Sequence, residues 1–396
     1  MVEPSPFPSS VVFTTATSGF YGSTRVVLRH AAALCNEGIR VTVLHNGGLE
    51  FDEDDVRLAQ ELRDVGADLV PVPGLTTWRV LLPWGPQRAA ISGARPDVVL
   101  SSQVRDAAST GLLALLARTP FVALVQNHPN FSGRPLVRRA KGWAYRLALR
   151  RAVRVICVAE HVAEVLQSDL EIDPDRIAVI PNVVEPTTSP PVQASVVRSE
   201  LGIEDGDLML LNVGRIHRQK GQEVLLDALV EVRCARRVVL VVAGGVEARG
   251  AEDLLRSLQE RAETSNLEVL WIGFRSDIDE LLHAADLVVS ASLWEAGPSL
   301  AVLEAMGAGR PVVLTDHGER IAGFVDGRHG FYADAGSVRS LAVRLSEATS
   351  LSHLERAEVG SNAKHLVAER ARLLGDDGRF VHELRKLKPN TTETAR

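Results

Sequence analysis

The sequence predicts an α/β protein of two similar units, each a mostly parallel sheet with helices on both faces. Three observations predict it. Short β-branched runs alternate with longer amphipathic segments along most of the chain. The alternation breaks once, at Pro181-Asn182-Val183-Val184-Glu185-Pro186-Thr187-Thr188-Ser189-Pro190-Pro191, a proline-rich linker composition, and then resumes. The 396 residues are too many for one ordinary core and suit two.

The elements follow in order. Val11 to Phe13 reads as a strand, with a glycine-bearing loop at Ser18 to Ser23 and a helix from about Thr24 to Asn36 that Gly38 ends. Val41 to Leu44, Leu69-Val70, Val98 to Leu100, Phe121 to Val125, Val153 to Val158 and Ile177 to Ile180 are the next strands. Beyond the linker, Leu208 to Val213 is a strand and Gly221 to Arg233 a helix. Val238 to Ala243 and Glu252 to Ala262 repeat the pair. Leu267 to Trp271, Leu287 to Ser290 and Val312 to Leu314 complete the second set of strands. Ser337 to Leu387 is helical in pattern, and the last residues from Lys388 are expected to fray. The expected units are 1–185 and 186–365, with a helical tail, 366–396, that can cross back to the first unit.

Composition excludes several classes. No apolar run approaches the roughly 20 residues of a membrane-spanning helix. No basic region precedes the first apolar strand, so no secretory leader is expected and the expected compartment is the cytoplasm. Cys35, Cys157 and Cys234 are odd in number and lack metal-type spacing. A net charge of −6 argues against a nucleic-acid binder. The charge is uneven, however. Between Ala107 and Ala159 there is no acid, while Arg118, Arg134, Arg138, Arg139, Lys141, Arg146, Arg150, Arg151 and Arg154 all fall there. In the Pro135 to Arg151 region, Leu136, Ala140, Trp143 and Leu147 share one helical face, with Arg139, Arg146 and Arg150 along its flank. The plainer reading packs that face on the first sheet and leaves the arginines solvated. The sharper one is an interfacial helix drawn to anionic lipid, making the protein peripheral on the inner face of the membrane.

The most informative stretch is Asp286 to Val313. A strand leads into a polar bend, Ser290 to Gly297. Pro298 and Ser299 are then expected to start a helix, Pro in its first turn and Ser as its cap. A helix N-terminus carries about half a positive charge and unpaired N–H groups, a natural seat for phosphate. Glu295 lies in the bend and Glu304 in the otherwise apolar helix. The second unit's first strand ends in Gly214-Arg215-Ile216-His217-Arg218-Gln219-Lys220-Gly221. The C-terminal edge of an open α/β sheet is where ligands bind, and Arg215 with Lys220 suits a diphosphate. The spacing is not that of a P-loop, and no GxGxxG, nucleophile elbow, HExxH or Cys/His metal cluster is present.

GRIHRQKG, followed by GFRSDIDELLHAADLVVSASLWEAGPSLAVLEAMGAGRPVV, resembles the signature of retaining glycosyltransferases of family 4. Ser18 to Val43, Ala178 to Asn182, Thr315 to Glu319 and Val325 to Gly330 are similar to further motifs, so the resemblance covers nearly the whole chain. It implies the GT-B fold, with two Rossmann-like domains facing each other across a cleft. The first domain binds acceptor and the second the nucleotide-sugar. It implies that Arg215 and Lys220 hold the donor diphosphate, that N–H groups around Ser299 and Leu300 hold the distal phosphate, and that Glu304 accepts from the ribose. It implies too that Glu295 contacts the transferred sugar, that Gly19 and Gly22 let the first-domain loop approach the phosphates, and that His128 stands near acceptor and sugar. For His128 a loop histidine bonded only to backbone is the plainer alternative. His217 and His317 lie in motif loops, where the plainer reading is favoured for both. No cofactor or metal is expected, and a UDP-sugar is favoured over a GDP-sugar as donor. The acceptor is a glycan, a lipid-linked glycan or a small molecule. Two departures stand out. Eight residues separate Glu295 from Glu304, one more than the family's usual spacing, with Ala296 or a residue near Ser299 as the extra one. Ala159-Glu160 stands where Ser-Glu is common. Other readings of the same fold are a nucleotide-sugar 2-epimerase, a phosphorylase, or a non-catalytic nucleotide-sugar-binding protein.

Overall fold

The structure, a computed structural model, describes residues 7–16, 22–46, 53–73, 75, 86–127, 134–186, 194–246, 250–318, 320–374 and 376–387. The chain forms two compact units. The first runs to Pro181 and takes up the chain again from 375, and the second is Asn182–Leu374.

In the first unit the strands are β1 Ser10–Thr15, β2 Arg40–His45, β3 Asp68–Pro71, β4 Val98–Ser101, β5 Phe121–Val125, β6 Arg154–Cys157 and β7 Ile177–Val179. The helices are α1 Gly22–Asn36, α2 Glu53–Asp64, α3 Pro86–Ala94, α4 Val104–Ala117, α5 Pro135–Arg151 and α6 Glu160–Ser168. The second unit holds α7 Ala194–Glu200, β8 Leu208–Val213, α8 Gln222–Glu231, β9 Val238–Ala243, α9 Ala251–Thr264, β10 Val269–Gly273, α10 Ile278–Ala284, β11 Leu287–Ser290, α11 Leu300–Gly307, β12 Val312–Asp316, β13 Phe331–Asp334, α12 Val338–Ser350 and α13 His353–Leu374. Helix α14, Asp376–Arg385, belongs to the first unit.

Each unit carries one parallel sheet, ordered β3-β2-β1-β4-β5-β6-β7 and β10-β9-β8-β11-β12-β13. In both, the first strand lies between the second and fourth of its unit, which makes β1/β4 and β8/β11 the points where strand order reverses. A crevice opens outside the carboxyl ends at such a point. The strands are apolar on both faces because helices cover both. Met209 and Leu211 of β8 enter one buried cluster, and Leu208 and Leu210 enter the other.

Three expectations change. The boundary expected at 365 falls inside α13, which runs unbroken to Leu374 and buries Ala363, Leu366 and Val367 with Val302, Leu303 and Met306 of α11. Strand β13 was not expected; it is four residues long and carries no periodicity of its own. The strand expected from Leu267 begins at Val269, where pairing with β9 starts.

Helix α14 completes the first core. Phe380, Val381 and Leu384 are buried with Phe13, Val27 and Ala31, and Phe380 stacks on His30 with ring centroids 3.8 Å apart. Arg154 of β6 donates to Glu383 at 2.6 Å, and Arg385 to Glu37 at 2.6 Å. Burial, with Arg29 adding repulsion, lowers the His30 pKa to about 3.

Helix α5 departs from the plainer of its two expected readings. Tyr145, Ala148 and Leu149 are its buried residues. The stripe that the plainer reading packs on the sheet points the other way: Leu136 is 80% exposed and Trp143 67%, and Ala140 and Leu147 on the same face are exposed too. At 3.6 residues per turn these two apolar faces lie on opposite sides of the helix. Arg139, Arg146 and Arg150 border the outer one. Glu171 accepts from both Arg146, at 2.5 Å, and Arg150.

Candidate functional site

The switch point of the second sheet is built by the loops after β8 and β11. The β8 loop turns tightly. His217 caps a single turn, Arg218–Lys220, its Nδ1 accepting from the Gln219 amide at 3.1 Å. Gly221 follows at φ +62°, and a Cβ there would meet the Ala291 carbonyl oxygen at 2.0 Å, so only glycine fits. A Cβ on Gly244, after β9, would meet the Gly214 carbonyl oxygen at the same 2.0 Å. The buried Gln222 side chain donates to the Arg215 carbonyl at 2.9 Å and holds the loop's other end.

The β11 loop lies against it. The Leu293 amide donates to the Gln219 carbonyl at 2.7 Å. The Gln219 side chain donates to the Trp294 carbonyl at 3.0 Å and to Glu295 Oε2 at 3.3 Å. Lys220 Nζ lies 2.5 Å from Glu295 Oε1, and the Ser292 hydroxyl donates to that same oxygen at 2.8 Å. Thr315, in β12, donates to the Ser292 carbonyl at 2.6 Å. The Glu295 carboxylate therefore accepts from three donors on two loops. Lys220 and Glu295 are mostly buried, with 19% and 12% of their side chains exposed.

Past Glu295, Ala296 is buried and the chain turns into α11. Leu300 is the first helical residue, and Ser299 stands at the cap position. Its side chain makes no capping bond, contrary to expectation. Its φ of −60° and ψ of 135° leave the backbone carbonyl to accept from Val302 and Leu303, both at 3.0 Å. Pro298 lies outside the helix. Glu304 is half-buried between the buried Leu303 and Ala305.

Of the residues singled out in sequence, the structure brings Lys220 and Glu295 into contact, puts Arg215 and Ser299 on the same two strand-to-helix connections, and places Leu300 at the start and Glu304 in the middle of α11. Gly22 is the exposed first residue of α1. Gly19 and His128 lie outside the described residues. His317 Nε2 is 3.3 Å from the Thr315 hydroxyl. Gln219, Ser292 and Thr315 escaped sequence reasoning. Gln219 adjoins Lys220, but nothing local distinguishes a loop glutamine that binds solvent from one that binds a neighbouring loop.

The first sheet has a buried polar cluster at its own switch point. Asp106 of α4 accepts from the Thr14 hydroxyl at 2.7 Å and from the Ser102 and Gln103 amides at 3.2 and 2.9 Å. Thr14 also bonds Thr110 at 2.7 Å. Burial pushes the Asp106 pKa up to about 7, against the opposite pull of these hydrogen bonds.

Comparison with known proteins bears on both units. A family model described as Glycosyltransferase Family 4 matches residues 20–188, and one described as Glycosyl transferases group 1 matches residues 207–350. The UDP-Gal:alpha-D-GlcNAc-diphosphoundecaprenol alpha-1,3-galactosyltransferase of Escherichia coli is 30% identical over 182 residues, 44% of this chain and 45% of that protein. The alpha-maltose-1-phosphate synthase of Mycobacterium tuberculosis is 29% identical over 315 residues, 72% of this chain and 80% of that protein. The chain spans about half the length of several curated relatives that it matches. Among solved structures, Anabaena Alr3699/HepE in complex with UDP and glucose superposes with a TM-score of 0.80 at 21% identity, covering 96% of this chain and 100% of that one. At that identity the likeness is one of fold.

Proposed function

The chain belongs to glycosyltransferase family 4, the group 1 transferases of the GT-B fold, and from that premise we propose that it is a retaining, metal-independent hexosyltransferase. It moves a sugar from a nucleotide-sugar, a UDP-sugar before a GDP-sugar, to a glycan or lipid-linked acceptor. The observation that carries this reading is the meeting of Lys220 with Glu295 where β8 and β11 adjoin, one on each loop.

In this reading Arg215 and Lys220 hold the donor diphosphate and the N-terminus of α11, at Ser299 and Leu300, holds its distal phosphate. Glu304 accepts from the ribose and Glu295 from hydroxyls of the transferred sugar. Gly19, Gly22 and His128 act from the first unit. The bond from the sugar's anomeric carbon to the phosphate oxygen breaks as the acceptor oxygen bonds that carbon from the same face. The acceptor proton passes to the departing phosphate oxygen. Charge building on the diphosphate is met by fixed cations and a helix terminus, which is electrostatic transition-state stabilisation, and these take the place of a metal ion. The UDP complexes of HepE and the diphosphoundecaprenol acceptor in the Escherichia coli relative's name support the donor and acceptor classes. Heat-denaturation midpoints with UDP, GDP and their sugars, followed by transfer assays on the ligand that stabilises, test it. Stabilisation by none of them refutes the proposal. Donor consumed to an isomer without acceptor makes the chain an epimerase instead.

The acceptor reading extends to the membrane. Among the described residues no helix is long and apolar enough to cross a bilayer. The outer face of α5 supports peripheral docking on the anionic cytoplasmic leaflet. Its apolar stripe is exposed and bordered by arginines, and α5 carries six basic residues and no acid. Co-sedimentation with vesicles of anionic and of zwitterionic phospholipid tests this. Binding to the anionic vesicles that Trp143→Ala and neutralised Arg138, Arg139 and Arg146 abolish is expected, and no binding by the wild type refutes it.

A further inference from the structure

We infer that Glu295 competes with the nucleotide diphosphate for Lys220, and so lowers the affinity of the spent nucleotide and speeds its release. The inference rests on the reading that Lys220 binds the diphosphate. It starts from how firmly the carboxylate is fixed. Glu295 Oε1 lies 2.5 Å from Lys220 Nζ and accepts from Ser292 at 2.8 Å, while Oε2 accepts from Gln219 at 3.3 Å. Ser292 is itself pinned through its carbonyl by Thr315, and the two loops are tied by the Leu293 amide on the Gln219 carbonyl. An acid held this way does not swing aside at no cost when an anion arrives.

A diphosphate brought to the Lys220 ammonium therefore meets two opposing effects. The ion pair has to be shared or opened, and two anions come close in a mostly buried site where their repulsion is poorly screened. The intact donor brings a compensation that the nucleotide lacks. Its sugar carries hydroxyl donors, and the carboxylate can accept from them what it gives up at Lys220. Once the sugar has moved to the acceptor, those donors are gone and Glu295 recaptures the ammonium. One side chain thus favours donor over product, and Gln219 and Ser292 are positioning residues for it.

The test is calorimetric titration of wild type, Glu295→Gln, Lys220→Met and the double variant with UDP and, in parallel, GDP. Glu295→Gln keeps the shape and an oxygen for Ser292, and thermal melting confirms that each variant folds. The nucleotide that binds wild type should bind Glu295→Gln about 3- to 30-fold more tightly, the span between an exposed and a mostly buried ion pair. Its inhibition constant as product should fall alike, while kcat/KM for the donor also falls. In the Lys220→Met background, Glu295→Gln should change affinity by less than about two-fold, because the partner it competes for is gone. Unchanged or weaker nucleotide binding by Glu295→Gln overturns the inference. A gain that persists undiminished without Lys220 is plain repulsion and overturns it too. Lys220→Met with wild-type affinity refutes the diphosphate reading instead, and no binding of either nucleotide refutes the proposed transferase.

Discussion

Lys220 and Glu295 stand 75 positions apart in the chain and meet at 2.5 Å. The contact exists because β8 and β11 are neighbours in the sheet, so the loops leaving them share one edge. Each residue can be tested from that position.

Lys220→Ala should weaken donor binding roughly 10- to 100-fold, the loss of one charge-assisted hydrogen bond of about 1.5–3 kcal/mol. Titration with the donor measures it, and an unchanged affinity would remove Lys220 from the diphosphate.

Glu304→Ala should raise KM for the donor and leave KM for the acceptor within about two-fold, as expected for a group that touches only the ribose. Steady-state kinetics with each substrate varied in turn decides. A change confined to the acceptor would contradict the assignment.

Gly221→Ala places a methyl on the Ala291 carbonyl at a residue with φ +62°. The two loops would have to separate, at a cost of about 2–4 kcal/mol. Chemical denaturation reads the stability, and donor affinity should fall with it because Lys220 is the preceding residue.

The first unit carries two buried groups with opposing pH dependence. His30 has its pKa lowered from 6.5 to about 3. The unfolded chain thus binds its proton more readily, and stability rises with pH across that window. Asp106 has its pKa raised from 3.8 to about 7. Here the folded chain binds the proton more readily, and stability falls as pH rises from about 4 to about 7. Urea denaturation should show Asp106→Asn left with the rise alone. His30→Phe, which keeps the stack on Phe380, should be left with the fall. Parallel pH profiles for the two variants would contradict both assignments.

Truncations on the two faces of α5 should differ sharply. Leu149→Ala, on the buried face, should cost about 2–5 kcal/mol. Trp143→Ala, on the exposed face, should change stability by less than about 0.5 kcal/mol. Equal losses in thermal or urea melts would place the outer stripe against protein.

Much of this was legible in the chain. Short β-branched runs bounded by turn residues and alternating with amphipathic segments read as buried parallel strands. The break at Pro181 to Pro191 falls where the second unit begins, and the glycine-flanked motifs lie on the β8 and β11 loops, which the structure brings into contact. The direction of α5 was not legible. Its sequence carries two apolar stripes, Leu136-Ala140-Trp143-Leu147 and Tyr145-Ala148-Leu149, and periodicity does not say which one meets a sheet.

By itself the sequence determined the alternation of elements, the two-unit division and the residue types offered at the second sheet's edge, because these depend on neighbours a few positions apart. Only the tertiary structure decided that Glu295 is held by Lys220, Ser292 and Gln219, that α14 closes the first core through Phe380, and that Trp143 faces outward. Each of those depends on which strands and helices lie side by side, a non-local balance of burial and hydrogen bonding that no single segment encodes.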